Sequence, residues 1–501
     1  MGLFKKSVKI EMDSEEEIQK KAAKEQKKTN REILFVTYIF VAIFLALIIY
    51  LVKFMFLDSE KIINNSYNTR SVIFEERIVR GSILSRNMEV LATTNVSEDG
   101  KEQRNYPFGR LFAHVVGYCA RGNIGVEACA NFKLLSSNDY LKNRIRNDLN
   151  NKKNKGDSVV TTLDVDLQRA AYDAMGGNTG AVVVMNCKTG EILAMVSKPD
   201  FDPNDLINVW EDINEDSGNS ILLNRATQGL YPPGSTFKIV TGLEYMKEYP
   251  ESVDLYEFNC SGSFTNEDDV INCFHGQQHG ALDFKHSFAK SCNSSFASIS
   301  TLLDKEKFAA TCGELLFNSD LPIPFTYKKS YVDINSDTPT EDIMQVGIGQ
   351  GKTQITPVHM AMITAAVAND GVLMQPYVIS QVLNCNNNVV KSYSAKEYGR
   401  LVSKNNAMVL RDYMREVVVS GTATKLNSAS TYTASGKTGS AEYSTDKSKS
   451  HAWFTGFAPS DDPELVVTVI AEGAGSGGDV AVPIAKAVFD EYFCYSSDSD
   501  R

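Results

Sequence analysis

Ser235 and Lys238 stand three positions apart in the run Tyr231-Pro232-Pro233-Gly234-Ser235-Thr236-Phe237-Lys238. The two prolines bar helix upstream, so helix over 235–245 puts the serine on the first turn and the lysine on the same face one turn later. A serine hydroxyl is a weak nucleophile at neutral pH. A helix N-terminus offers N–H groups and a positive dipole end to an oxyanion, and a neutral lysine offers a base. Desolvation and a neighbouring cation bring a lysine to that state by lowering its pKa. One Ser-x-x-Lys arises often by chance, and taken alone it reads as a polar helix start.

Two further groups follow it. Ser291-Cys292-Asn293 offers a hydroxyl to relay a proton and an amide to hold a substrate amide. Lys437-Thr438-Gly439-Ser440 offers a cation, two hydroxyls and a glycine where a ligand backbone can come close. The separations are 56 residues (291 minus 235) and 146 residues (437 minus 291).

Other patterns fail. Gly473-Ala474-Gly475-Ser476-Gly477-Gly478 fits G-x-G-x-x-G in form, but too few residues follow to complete a βαβ unit with its ribose-binding acid. The two Gly-Lys-Thr sequences at 351–353 and 436–438 carry Val346 and Thr431 where a phosphate-binding loop needs glycine. Nine cysteines without a C-x-x-C, and six histidines without an H-E-x-x-H, spell neither a zinc nor a redox motif. His275 and His279 are four apart but flanked by glycines, which reads as a loop rather than a metal site. Cys260 and Cys273 flank a hairpin-like stretch, where a disulfide and two buried thiols are both open.

The elements that must position these residues are legible in outline. A chain of 501 residues with 43% hydrophobic and 23% charged residues is an ordinary globular composition, long enough for two or three domains. A net charge of -11 argues against nucleic acid as a partner. Residues 1–32 are lysine-rich with interspersed acids and read as disordered or a fraying helix. Ile33 to Val52 then runs twenty residues without a charge, the length of a membrane-spanning helix. No small-x-small cleavage site follows, so the segment reads as a retained anchor. Lys20, Lys21, Lys24, Lys27, Lys28 and Arg31 precede it, against Lys53 and Lys61 after it, which puts the N-terminus in the cytoplasm and the rest outside.

Residues 56–155 mix strand and helix patterns up to a boundary at Gly156-Asp157. Beyond it, Asp164 is placed to cap a helix that buries Leu167, Ala170, Ala171 and Met175. A hairpin is expected over 180–185 and 191–196, a strand over 465–471 and a last helix over 484–493. Strands at both ends of this region predict one α/β domain whose sheet joins distant segments.

With S-x-x-K, S-x-N and K-T-G in this order, the chain resembles a class B penicillin-binding protein, a membrane-anchored peptidoglycan D,D-transpeptidase. Further matching stretches are Arg80-Gly81, Thr162-Leu163-Asp164, Phe201-Asp202-Pro203-Asn204, Gly347-Ile348-Gly349-Gln350-Gly351 and Trp453-Phe454. The resemblance implies the penicillin-binding serine-transpeptidase fold, an antiparallel sheet flanked by helices, with a small N-terminal spacer domain and one transmembrane helix. The implied division is a cytoplasmic tail 1–32, an anchor 33–55, a dimerisation-like spacer 56–155 and a transpeptidase domain 156–501.

Carried over by position, Ser235 is the acylated nucleophile, Lys238 its base, Ser291 the proton relay and Asn293 the substrate amide ligand. Lys437, Thr438, Gly439 and Ser440 form the wall that binds the terminal carboxylate, and the N–H groups of Ser235 and Ser440 form the oxyanion hole. The implied partners are stem peptides ending in D-Ala-D-Ala, β-lactams, the bacterial cell membrane and a membrane glycosyltransferase, with no cofactor. The sequence departs from the family pattern at Ser85, Met88 and Cys292, and at Ser440, where threonine is usual. Competing readings are a D,D-carboxypeptidase or β-lactamase-like hydrolase, which differ in admitting water, and a non-catalytic penicillin sensor or scaffold. Against the last, no motif residue is lost and only about 32 polar residues precede the anchor.

Overall fold

The structure is a computed structural model that describes residues 15–54, 74–120, 122–206, 208–210, 220–429, 431–443 and 449–495. The expected border between anchor and spacer at 55/56, the first fourteen residues of the tail and Lys61 lie outside these.

Helix α1 (Glu15–Lys53) is continuous over 39 residues, about 58 Å at 1.5 Å per residue. The charged half therefore continues the apolar half as helix from Glu15 on, the helical rather than the disordered of the two readings its composition allows. Alanine, lysine, glutamate and glutamine are all good helix formers, and extending an existing helix avoids the cost of nucleation. Phe35, Ile39, Phe44 and Ile49 are exposed around its circumference, and α1 is long and apolar enough to cross a membrane. It belongs to a compact unit of its own, Met1–Asn68, separate from Thr69–Arg501.

The second unit holds two main sheets. The six-stranded one runs in the order 389–392, 379–383, 158–161, 83–84, 90–96, 102–105. Strand 158–161 pairs parallel with 83–84 on one side and antiparallel with 379–383 on the other, so this sheet draws strands from both sides of residue 156. The Arg80-Gly81 stretch lies at its base. Arg80 and Arg104 donate to the two carboxylate oxygens of the fully buried Glu127 at 2.7 and 2.8 Å, and a side chain at Gly81 would lie 1.8 Å from the Asp157 carbonyl. The turn at Ser85 closes despite its departures: Ser85 Oγ accepts from the N–H groups of Asn87 and Glu89, and Met88 takes φ +67°.

The second sheet is five-stranded and antiparallel. Asp164 caps α2 (Val165–Met175), its carboxylate accepting from Asp166 and Leu167 N–H at 3.0 Å. Strands β1 (Gly180–Asn186) and β2 (Ile192–Lys198) form the expected hairpin. Then come α3 (Lys238–Glu248), the short strands β3 (Glu257–Cys260), β4 (Ser263–Asn266), β5 (Asp269–Asn272) and β6 (Gly280–Asp283), and α4 (Asn293–Leu302).

Helix α5 (Pro357–Ala368) is apolar all round and every residue is buried, as a central core helix must be. Strands β7 (Ser435–Glu442), β8 (Ser450–Ala458) and β9 (Leu465–Ala471) precede α6 (Val482–Asp490). The last helix continues past 493, changing from α to π geometry over Glu491–Tyr495. The sheet order is β7-β8-β9-β1-β2. Helix α5 packs on β8, β9 and β1, while α2 and α6 pack on each other and on the sheet. This is the antiparallel sheet flanked by helices that the resemblance implied.

Candidate active site

Three contacts hold the turn before α3. Tyr231 exchanges both backbone hydrogen bonds with Ile355, at 3.1 and 2.8 Å, and the Trp453 indole donates to the Pro232 carbonyl at 3.0 Å. Gly234, at φ +53°, donates to the Gly349 carbonyl at 2.8 Å. The turn Gly234–Phe237 is 3-10 rather than α, and passes into α3 at Lys238. Phe237 anchors it below, against Phe308 and Phe317. Ser235 is half-buried at the mouth of a cleft of about 450 Å³, and its hydroxyl makes no hydrogen bond among the described residues.

Ser291 links the two lysines. Lys238 Nζ donates to the Ser291 carbonyl at 2.7 Å and to Asn293 Oδ1 at 2.8 Å, and lies 3.4 Å from Ser291 Oγ. Lys437 Nζ donates to Ser291 Oγ at 2.8 Å and to the Thr438 carbonyl at 3.0 Å. Both lysines are fully buried. Burial pushes the Lys238 ammonium down to about 8, against the opposing pull of Cys292 and Cys273. Burial also pushes Lys437 well below its ordinary value, and repulsion from Lys238 adds to this. Joined through one hydroxyl, the two titrate as a pair. A neutral Lys238 spends its two hydrogens on Ser291 O and Asn293 Oδ1, so its lone pair stays free to take a proton.

The backbone at Ser291 explains how one residue reaches both. Helix 284–289 ends in a Schellman motif: Ser291 N–H donates to Phe288 O at 3.1 Å and Cys292 N–H to Ser287 O at 3.0 Å. Ser291 therefore occupies the left-handed position, φ +56°, where glycine is usual. Cys292 then caps α4, its sulfur accepting from Ser295 N–H. Ser291→Gly relieves about 1 kcal/mol of left-handed backbone cost but takes an acceptor from the buried Lys437, worth about 1.5–3 kcal/mol, so a modest fall in Tm is expected. The same change removes the shared hydroxyl and should slow acylation by benzylpenicillin roughly 10²-fold or more. Parallel melting and acylation measurements check this, and a variant that kept both its Tm and its rate would remove Ser291 from the relay.

Strand β7 is the sheet edge, so half of its backbone groups have no strand partner. With its amide turned so that both groups are satisfied, Gln350 bonds the Glu442 N–H and carbonyl at 3.1 Å each. Glu442 thus points its backbone outward, and by the two-residue period Ser440 and Thr438 do so too. Thr438 Oγ1 bonds Thr422 Oγ1, and Ser440 Oγ accepts from Gly477 N–H at 3.4 Å. Gly439 lines the cleft, and its bareness also serves the neighbouring turn. A Cβ there would meet Pro233 O at 3.1 Å, Trp453 Cβ at 3.1 Å and Thr236 Cγ2 at 3.2 Å, so the missing side chain makes room for the nucleophile turn.

Ser235, Ser291, Asn293, Thr438 and Ser440 all line the one cleft, with Lys437 beneath it. Sequence reasoning did not single out Gly349, Trp453 or Gln350 as supports; all three were legible only as parts of matching stretches. It also missed that residues 270–277 and His279 line the same cleft. Cys260 and Cys273 are free thiols, their sulfurs 3.6 Å apart, so the disulfide expectation gives way to the buried-thiol one. They share their surroundings with Cys292 and His279.

The pattern of the penicillin binding protein transpeptidase domain matches residues 180–490, and that of the penicillin binding protein A dimerisation domain matches 80–159. The chain belongs to the penicillin-binding protein transpeptidase family. Its class B penicillin-binding protein resemblance is thereby shown. The peptidoglycan D,D-transpeptidase PbpA of Mycolicibacterium smegmatis is 31% identical over 84% of this chain and 90% of its own length. The D,D-transpeptidase domain of a peptidoglycan glycosyltransferase from Eggerthella lenta superposes with a TM-score of 0.74 at 32% identity, covering 83% of this penicillin-binding protein and 98% of that chain. Penicillin-binding protein A of M. tuberculosis, as its penicillin G acyl-enzyme complex, superposes with a TM-score of 0.74 at 26% identity over 82% and 99%.

Proposed function

We propose that this chain is a peptidoglycan D,D-transpeptidase that works through a Ser235 acyl-enzyme and is acylated by β-lactams at the same serine. The observation that carries the reading is the single Ser291 hydroxyl lying between two buried lysines, in the cleft where Ser235 presents an unbonded hydroxyl.

Ser235 Oγ attacks the carbonyl of the penultimate D-alanine while Lys238 takes its proton. The oxyanion is held by the N–H groups of Ser235 and Ser440, the second facing outward from β7. Collapse breaks the C–N bond, and the departing D-alanine amine receives the proton through Ser291. An amine from a neighbouring stem peptide then attacks the ester, returns a proton by the same route, and frees Ser235 with a new amide bond made. Asn293 holds the substrate amide, and Lys437 with Thr438 and Ser440 receives the terminal carboxylate. A β-lactam follows the first half only, because its leaving nitrogen stays tethered in the opened ring.

The reading carries the division into tail 1–32, anchor 33–55, spacer 56–155 and catalytic domain 156–501. It puts the N-terminus in the cytoplasm and the catalytic domain outside, beside a membrane glycosyltransferase that supplies strands. The test is mass spectrometry of the full chain in detergent with benzylpenicillin and, on a separate penicillin-free sample, with a stem pentapeptide and an added acceptor amine. A stable adduct on Ser235 and an amide-linked dimer with release of D-alanine are expected. Free tetrapeptide without dimer would make it a hydrolase, and no adduct would remove the acyl-enzyme.

A further inference from the structure

Beneath the Ser291-Cys292-Asn293 motif lies a cluster that the acyl-transfer steps do not use. Cys260 Sγ and Cys273 Sγ are 3.6 Å apart, Cys273 Sγ and Cys292 Sγ 3.7 Å, and Cys260 Sγ and His279 Nδ1 3.3 Å. All four ligand-type atoms lie within 4.8 Å of one another. The three cysteines are buried and the histidine half-buried. We propose that Cys260, Cys273, His279 and Cys292 bind one Zn²⁺ ion, which ties the wall of the cleft to the Ser291-Cys292-Asn293 motif.

The three shortest of these distances fit that ion. Zinc bonds of about 2.3 Å to sulfur and 2.0–2.1 Å to nitrogen make a tetrahedron whose S···S edges are about 3.75 Å and S···N edges about 3.5 Å. Two packed thiols also touch at this separation, but three sulfurs and an imidazole nitrogen converging from four separate segments form a complete zinc ligand set. Three cysteines and one histidine leave no open position, which makes the site structural rather than catalytic. Binding converts three thiols to thiolates and releases three protons to solvent.

The surroundings show what the ion would do. The segment from β3 to β6 has almost no core of its own: its separate buried cluster consists of Cys260, Cys273, Leu282 and Cys292, with Phe258 packed on it. That cluster is small, and the segment's other apolar anchors are Ile271 and Phe264 against the main core, so a metal would cross-link strands that few apolar contacts hold. The same segment supplies the cleft wall at 270–277 and His279. Asn293 Nδ2 donates to Asn272 O at 3.1 Å, one residue from Cys273, so the ligands on both sides bracket a contact to a proposed substrate-binding residue.

The full chain, purified in detergent without chelator, is analysed for metal content and for thiols protected from alkylation. About one zinc per chain is expected, with Cys260, Cys273 and Cys292 protected until a strong chelator is added. Chelation should lower Tm, and zinc chloride alone should restore both the Tm and the protection. Cys260→Ser and His279→Ala should each lower the zinc content. Where a variant fails to fold, the protection of the wild-type thiols decides by itself. Zinc content at background, thiols alkylated equally with and without chelator, or a mass two hydrogens lower from a Cys260–Cys273 disulfide would each overturn the site. None of these readouts depends on acylation, so the zinc site and the transpeptidase reading fail separately.

Discussion

Replacing Lys238 by arginine is expected to slow acylation of Ser235 by benzylpenicillin roughly 10²- to 10⁴-fold, the range that a positioned general base supplies. The guanidinium keeps the positive charge but cannot deprotonate in a protein. The wild-type pH profile carries the same information. Burial brings the Lys238 ammonium down to about 8, so the neutral form needed to accept the serine proton predominates above that value and is lost below it. The acylation rate should therefore level off on the alkaline side and fall about tenfold per pH unit on the acid side. Because Lys437 shares Ser291 with Lys238, the apparent value belongs to the pair. Stopped-flow acylation across this range checks both statements. A Lys238→Arg variant at wild-type rate, or a flat profile, would take the base role away from this lysine.

Gly349→Ala should be nearly as damaging, although the residue makes none of the proposed contacts with substrate. Its φ is +75°, and an added Cβ would lie 2.0 Å from the Gly234 carbonyl and 2.8 Å from Phe237 Cβ. The obstacle is backbone, which cannot swing aside as a side chain would. The strand-like pairing of Tyr231 with Ile355 and the indole bond to Pro232 hold the nucleophile turn from the other side, so the strain falls on Gly234-Ser235. A loss of about 2–4 kcal/mol in stability is expected, as for other left-handed positions with a clash. Displacing Ser235 by even 1 Å costs about 10²-fold in acylation. Thermal melting and adduct formation under the same conditions test this. Unchanged acylation with a normal Tm would mean that the 347–351 turn does not set the serine.

Much of the active site was legible because its chemistry is local. A serine one turn from a lysine behind two prolines, a hydroxyl beside an amide, and a lysine with hydroxyls around a glycine are each readable in a few adjacent residues. So are the Asp164 cap, the β1-β2 hairpin and the uncharged run of α1, since each depends on side-chain period or on groups within one turn. What residues do to one another at a distance was not written locally. The convergence of Ser235, Ser291 and Lys437 depends on β7 forming the edge of a sheet whose other strands begin at residue 180.

Ser291 reaches both lysines only because a Schellman turn puts a serine in a glycine's conformation, which no residue type announces. Gly439 read as space for a ligand, and only the fold shows that a side chain there would also press on the nucleophile turn. Division of the chain at residue 156 looked clean in composition, yet one sheet takes strands from both sides of it. The cysteines and His279, separated by 13, 6 and 13 positions, match no familiar spacing, and only the folding of β3 to β6 against α4 brings their ligand atoms together. Residue identity sets which bonds a side chain can make. Burial, a lysine's proton affinity and the geometry of a ligand set belong to the neighbours, and those are assembled by contacts across hundreds of residues.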